Sequence, residues 1–399
     1  MKELLFVINT LGRAGAETAL VELLDRLDPE EYRAELYVLT NQGDMVSEIP
    51  KHVRLLNRHF EAISVLDPEG QKALCRQVWK AMFNRLTVVK CFPYLIKNFC
   101  AMLSERKVLP DKLLWRVMSD GGQRMEKRYD LAVAFLEGGA SYYVSNHVKA
   151  DRKAAFLHVD YGRAGYTRSL DRDCYLKFDK IFAVSGEVKE AFLEVYPECE
   201  SRTDIFHNLI DGERIHVKAK DSGGFEDDFS GQRILTVGRL TKQKAFEISV
   251  EAMKLLKDEG LRVRWYVLGE GDQRKVLEEQ IRTLGLEEDF LLLGAVDNPY
   301  PYMLQADVYV HASRYEGKSI AIQEAQILGK AILVSDCSGN REQVEHDVDG
   351  MMCDLSPAGI AAGIGELLRD EGKRKRLGEA AACKHMAEEE ELNKLLSLL

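Results

Sequence analysis

The feature that most constrains this chain is a module that recurs along it: a short apolar run, a polar or glycine-bearing loop, then a stretch of helical periodicity. Leu4-Leu-Phe-Val-Ile8 opens the first module, the loop Asn9 to Ala16 follows, and a 3.6-residue apolar period runs from Glu17 to Leu27 until Asp28-Pro29 ends it. Further apolar runs at 34–40, 53–57, 130–136, 153–159, 179–184 and 204–209 alternate with helical stretches. Strands separated by helices must run parallel, and helices then cover both faces of their sheet, which predicts a doubly wound α/β fold.

The rhythm breaks twice. Residues 68–120 form a helix-prone, basic and aromatic insertion. From Asp211 to Gln232 the chain turns polar, with Asp221-Ser-Gly-Gly-Phe-Glu-Asp-Asp228 as the clearest linker signal. Beyond it the alternation restarts, with strands expected at 233–238, 263–268, 290–293, 307–311, 331–335 and 350–353, and Gly260, Gly285 and Gly329 where helices should end. A chain of 399 residues exceeds one ordinary core. The reading is an N-terminal domain over 1–215, a second Rossmann-like domain over 216–376, and a helix over 377–399 returning toward the first. Two such domains are expected to face each other across a cleft, with ligands at the carboxyl ends of the strands.

Composition excludes several classes. Hydrophobic residues at 46% and charged residues at 30% leave little room for extended disorder. No run approaches the roughly 18–20 apolar residues of a bilayer span, and Met1-Lys2-Glu3 leads straight into a strand, so the chain is expected in the cytoplasm. Eight cysteines without a Cys-x-x-Cys pair argue against a disulfide framework or a zinc site and read as small apolar filler. A formal charge of −10 argues against a nucleic-acid binder.

Two strand-to-helix loops carry the chemistry. In Gly238-Arg239-Leu-Thr-Lys-Gln-Lys244, two cations five residues apart can straddle one anion beside a helix N-terminus, which suits a diphosphate; a solvated basic loop is the competing reading. Ser313-Arg-Tyr-Glu316-Gly-Lys-Ser-Ile-Ala-Ile-Gln-Glu324-Ala places one carboxylate in a loop and one on the following helix, so the two can address different ends of one ligand. A carboxylate accepts two vicinal hydroxyls well. Backbone N–H groups around Lys318, Ser319 and Ile320 lie where phosphate oxygens can be met. Taken alone, a pair of acids eight apart is more simply a solvated helix face.

The combination, in this order and spacing, resembles glycosyltransferase family 4, the large retaining GT-B family. Gly12-Arg-Ala-Gly15-Ala-Glu17 is similar to that family's Gly-Gly-Ala-Glu loop, and Phe206-His-Asn208-Leu-Ile-Asp211 to its pre-linker element. Val267-Leu-Gly-Glu-Gly-Asp272, Leu293-Gly294-Ala295-Val296, Ser313 to Ala325 and Gly339 to Gly350 complete the pattern. The resemblance implies that Arg239 and Lys244 neutralise the pyrophosphate of a nucleotide-diphospho-sugar, UDP-linked by expectation. Glu324 would hold the ribose, Glu316 would contact the donor sugar or order its loop, and backbone at Gly294, Ala295 and Val296 would meet the base. Gly15 would let the first loop approach the phosphates. His158, in Phe156-Leu-His-Val-Asp160, resembles the histidine that faces the reacting sugar, with a structural histidine as the alternative. No cofactor, metal or covalent nucleophile is implied.

The sequence departs from the family at Arg13-Ala14, at Ala245 where glycine is usual, and at Gly317-Lys-Ser-Ile320 in place of Gly-Phe-Gly-Leu. The last form is similar to transferases that assemble bacterial surface polysaccharides. Asp171-Arg-Asp173 matches a metal-binding Asp-x-Asp only formally, since it precedes a strand where the motif should follow one. Gly269-Glu-Gly271 lacks the third glycine of a nicotinamide fingerprint.

Between Lys72 and Arg116 ten basic residues face two acidic ones, interleaved with Trp79, Phe83, Phe92, Tyr94, Phe99 and Trp115. Such a segment either lies on anionic lipid, giving peripheral contact at the inner membrane face through 72–116, or packs its aromatics on the N-terminal sheet. The expected function is sugar transfer from a nucleotide-diphospho-sugar to a glycan or lipid-linked acceptor. The rival readings are a non-catalytic GT-B subunit that binds glycan or a partner transferase, and another GT-B enzyme such as an epimerase.

Overall fold

The computed structural model describes residues 1–65, 67–104, 109–384 and 388–399. They form two compact units, Met1–Leu209 with Ala387–Leu399, and Ile210–Met386.

The first unit is built on seven parallel strands: β1 (Lys2–Ile8), β2 (Tyr32–Val38), β3 (Arg54–Leu55), β4 (Arg128–Ala134), β5 (Lys149–Leu157), β6 (Lys180–Ala183) and β7 (Thr203–Ile205), in the order β3-β2-β1-β4-β5-β6-β7. Leu4 to Ile8 are wholly buried, as an unbroken apolar run covered on both faces requires. The order reverses between β1 and β4, so the loops leaving these neighbours diverge and open a crevice. Helix α1 (Gly15–Asp25) follows β1.

The insertion is three helices, α2 (Pro68–Phe83), α3 (Thr87–Ser104) and α4 (Pro110–Gly121). Only α2 and α3 are additional, because α4 is the crossover helix that the step from β3 to β4 demands. A Cβ on Gly121 would come within 2.4 Å of the Ala81 carbonyl oxygen, so α2 and α4 meet almost backbone to backbone. The expectation that the aromatics pack inward holds for Tyr94 and in part for Trp115, whereas Trp79, Phe83, Phe92 and Phe99 are exposed. Arg106 and Lys107 lie outside the described residues, as does the side chain of Arg85.

Arg116 fastens α4 to the body. It is 2% exposed, donates to the carbonyls of Leu170 (3.3 Å) and Asp171 (2.8 Å), and lies 4.0 Å over the ring of Tyr142. Asp171 accepts from Tyr142 and Tyr196, which gives that carboxylate a structural task inside the core. Helix α5 (Gly139–His147) carries Tyr142 into this cluster.

The second unit repeats the plan with six parallel strands: β8 (Gln232–Val237), β9 (Val263–Leu268), β10 (Phe290–Gly294), β11 (Val308–His311), β12 (Ile332–Ser335) and β13 (Met351–Cys353), ordered β10-β9-β8-β11-β12-β13. The units divide at Leu209 and Ile210 rather than after 215. The reason is the helix Gly212–Lys218, whose last carbonyl takes a hydrogen bond from Asn298 at 2.8 Å. Residues 377–399 are likewise not one helix. Glu371–Ala382 stays with the second unit, while Glu388–Leu396 joins the first, where Glu391 accepts the His207 N–H at 3.0 Å and Lys394 donates to the Ile205 carbonyl at 3.0 Å. Cys75, Cys100 and Cys383 are exposed, so not all cysteines fill the core.

Truncating Arg116 to alanine leaves two carbonyls unpaired and a void beside Tyr142. We expect Arg116→Ala to destabilise the first unit by about 2–4 kcal/mol, measured by urea unfolding.

Candidate functional site

In the second unit the strand order turns between β8 and β11, so the loops leaving them border one crevice at the carboxyl edge of the sheet. β8 delivers Gly238, Arg239 and, through a single tight turn at Lys242–Lys244, the side chain of Lys244. β11 delivers His311 and the loop holding Ser313 and Glu316. The loops are stitched together by the Arg314 N–H on the Gln243 carbonyl (2.8 Å) and the Gln243 amide on the Tyr315 carbonyl (2.9 Å). Ala245 has φ of +49°, a left-handed conformation that costs an L-residue about 1–2 kcal/mol. That is the physical reason a glycine would be expected here.

The structure draws Lys244, Glu316, His311 and Ser313 together. Lys244 Nζ donates to Glu316 Oε1 at 2.5 Å and to His311 Nε2 at 3.0 Å, and Ser313 Oγ donates to the same Glu316 oxygen at 2.5 Å. Burial alone would raise the Glu316 carboxyl, yet the Lys244 ammonium beside it holds it well below the usual range, so it is ionised. Burial, then the neighbouring ammonium, lowers His311, which keeps its imidazole neutral and able to accept from Lys244. The Arg239 side chain is exposed and makes no hydrogen bond or ion pair among the described residues. The two cations thus differ: one is seated on a buried acid and base, the other is open to solvent.

Glu324 is not part of this cluster. It lies on the helix Ile320–Ile327, is 8% exposed and accepts from the Tyr300 hydroxyl at 2.9 Å. Burial pushes its carboxyl up to about 7, against the lowering effects of Tyr300 and Lys218. One expectation needs correction. The backbone N–H of Ser319 is not available to a phosphate, because it is donated to Gln343 Oε1 at 2.6 Å while the Gln343 amide returns a bond to the Ser319 carbonyl at 2.8 Å. This clasp fixes the backbone between Lys318 and Ile320 from within.

The backbone beyond β10 sits beside the same edge. Gly294 has φ of +88° and accepts the Gly269 N–H at 2.8 Å; Ala295 is exposed and Val296 half-buried. A Cβ on Gly269 would come within 2.1 Å of the Gly238 carbonyl, and one on Gly271 within 2.2 Å of the Leu240 carbonyl. Those glycines serve the contact between loops, which accounts for their spacing without a nicotinamide site.

In the first unit, Gly15 opens α1 and is exposed, while Arg13 pairs with Glu48 at 2.8 Å. His158 directly follows β5, its ring 5.1 Å from that of Phe135. Burial pushes it down to about 4, against a hydrogen bond with the Phe135 backbone, and Nε2 has no partner among the described residues. Sequence reasoning missed Glu137, fully buried after β4, whose Oε1 accepts the N–H groups of His158 (2.6 Å) and Val159 (3.0 Å). It also missed Tyr300 and His311. The only signal for His311 was a histidine closing the apolar run Val308-Tyr-Val.

His311→Leu removes one of the two seats under Lys244, and we expect pyrophosphate, as a probe of this cation pair, to bind about tenfold more weakly, by calorimetry. Because Glu324 ionises only as pH rises through about 7, a ligand that offers this carboxylate a vicinal diol, as a ribonucleotide does, should bind more tightly across that range. The increase should be absent in Glu324→Gln.

Residues 226–383 match the family model described as Glycosyl transferases group 1. Over 203 residues the chain is 32% identical to N-acetylgalactosamine-N,N'-diacetylbacillosaminyl-diphospho-undecaprenol 4-alpha-N-acetylgalactosaminyltransferase of Campylobacter jejuni, covering 50% of this chain and 54% of that one. It is 29% identical over 167 residues to the amylovoran biosynthesis glycosyltransferase AmsK of Erwinia amylovora, covering 40% and 39%. The chain thus spans about half the length of the first of these relatives, 54%, and less of the second, 39%. Anabaena HepE in complex with UDP-glucose superposes over 100% of both chains with a TM-score of 0.68 at 17% identity, a likeness of fold. A glycosyltransferase from Rickettsia africae covers 100% of this chain and 97% of its own at a TM-score of 0.64 and 15% identity. The chain has two doubly wound units of the GT-B type, and its residues 226–383 carry a Glycosyl transferases group 1 domain.

Proposed function

We propose that this chain is a retaining, metal-independent glycosyltransferase of family 4. It moves a hexosyl or N-acetylhexosaminyl group from a UDP-linked donor to a glycan or polyprenyl-linked acceptor in surface-polysaccharide assembly, at the inner face of a membrane. The observation that carries the reading is the seated cation Lys244 beside the open cation Arg239, at the turning point of the second sheet and on the same edge as Glu324.

In this mechanism Arg239 and Lys244 receive the diphosphate, and Glu324 accepts the ribose hydroxyls while Tyr300 keeps one of its oxygens in place. Backbone at Gly294, Ala295 and Val296 meets the base. Glu316 orders the loop and contacts the donor sugar, and Gly15 and His158 belong to the acceptor-side unit. The neutral His158 Nε2 is suited to accept a sugar hydroxyl. As the bond between the anomeric carbon and the diphosphate oxygen breaks, negative charge grows on the leaving group, and fixed cations stabilise it at the moment of greatest need. The acceptor oxygen bonds to the anomeric carbon from the same face and gives its proton to the departing phosphate. Two Campylobacter relatives are named for α linkages made on diphospho-undecaprenol, as retention from an α-linked donor would give.

The test is donor hydrolysis and binding over UDP-, GDP- and ADP-sugars with EDTA present. We expect slow release of UDP from one donor, reduced about a hundredfold or more in Glu324→Ala and in Lys244→Ala. Binding of no donor at all would reject the reading in favour of a non-catalytic subunit.

A further inference from the structure

Of the sixteen large apolar side chains exposed among the described residues, eight fall between Trp79 and Leu103. Their spacing on α3 is regular. At 3.6 residues per turn, Val89, Phe92, Ile96, Phe99 and Leu103 fall within about 80° of one another. They are 44–65% exposed, while Cys91, Tyr94, Asn98 and Met102 on the opposite side of the same helix are buried. The helix therefore has a second apolar face beyond the one the unit needs for packing. Trp79 and Phe83, stacked at 5.5 Å, add exposed aromatic surface on α2.

The charges beside it are of one sign. Over 68–104 there are six basic residues and one acidic one, Glu69, and α3 itself holds Lys90 and Lys97 with no carboxylate. Both lysines are exposed and lie on one flank of the apolar stripe, where a long aliphatic stem can follow the stripe and an ammonium can reach beyond it. No single helix among the described residues is long and apolar enough to cross a membrane; α2 and α3 reach that length and apolarity only as a pair bent by 104°, and the inner faces of both are packed on α4 and Leu170, which leaves the outer face to lie along a surface. A second copy of the chain is a poorer occupant, since a symmetric pairing of this face would set the same lysines against one another.

We infer that the outer face of α2 and α3 is a docking surface for the anionic side of a lipid bilayer, with the aromatic and aliphatic stripe in the acyl boundary and Lys90 and Lys97 among the headgroup phosphates. Its purpose rests on the transferase reading, because a polyprenyl-linked acceptor is confined to that same surface. Its evidence is separate. α4 follows α3 and packs Trp115 against Gly138 and Gly139, next to Glu137 and its bonds to the His158 segment. A bilayer held on α3 thus lies next to the helix that borders the acceptor-side loops.

The experiment is flotation of the full chain with phosphatidylcholine vesicles, with and without phosphatidylglycerol and without any acceptor lipid, at low and physiological salt. The chain should float with the anionic vesicles and less so as salt rises. Phe92→Glu/Phe99→Glu and, separately, Lys90→Glu/Lys97→Glu should each lower partitioning by about tenfold or more. UDP binding, measured in the same preparations, should be unchanged. Absence of flotation at low salt, or flotation equal in the wild type and both double variants, would overturn the docking surface and leave the transfer reading standing. Sedimentation showing a dimer that Phe92→Glu/Phe99→Glu dissociates, without vesicle binding, would assign the face to a second copy instead.

Discussion

The site depends on a lysine held between an acid and a neutral base below the surface of the second unit. Lys244 touches Glu316 and His311, and each partner solves a different problem. An ammonium half withdrawn from water needs a counter-charge, which the ionised Glu316 supplies, but a second carboxylate would cancel the field that an anionic ligand must feel. The uncharged imidazole satisfies a donor without cancelling charge. Ser313 fixes the acid, the Gly339 backbone presses close to the Glu316 loop, and the whole arrangement hangs from the ends of two adjacent parallel strands. Any ligand that engages Lys244 does so by sharing it with Glu316, so the pair is poised for exchange.

Much of this was legible in the sequence. Each expected strand is present within a few residues, because parallel strands covered on both faces leave an apolar run that is hard to mistake. The two motif loops emerged on neighbouring strands because the doubly wound order is a rule of the topology. What the sequence could not disclose is pairing. His311 reads as one polar residue closing a strand, and only the register beside β8 sets it under Lys244. Tyr300 is 24 positions from Glu324 and Glu137 is 21 from His158, so nothing local links them. Ser319 looked like a free donor because its captor, Gln343, comes from another helix. The insertion showed its composition but not its division into a crossover helix and an outward-facing pair.

The units use the same scaffold to opposite electrostatic ends. In the second, the loops at the turning point present cations. In the first, the corresponding loops hold a buried acid, Glu137, whose own carboxyl is raised by burial, and a histidine kept neutral for the same reason. Arg13, the one cation of the first loop, is committed to Asp44 and Glu48. Accessible positive charge thus gathers at the turning point of the second unit and buried, uncharged groups at that of the first, an asymmetry that follows from side chains alone.

The first unit is discontinuous, since its last helix, Glu388–Leu396, comes after the whole second unit in the chain. During vectorial synthesis at about 5–20 residues per second, Ile210–Met386 takes roughly ten to thirty-five seconds to emerge. Throughout that interval the nascent first unit lacks the bonds that Glu391 and Lys394 bring to His207 and to Ile205, the last residue of β7. The end of β7 is thus tied down only after the second unit has been made, and the first unit's maturation is timed by translation of its neighbour.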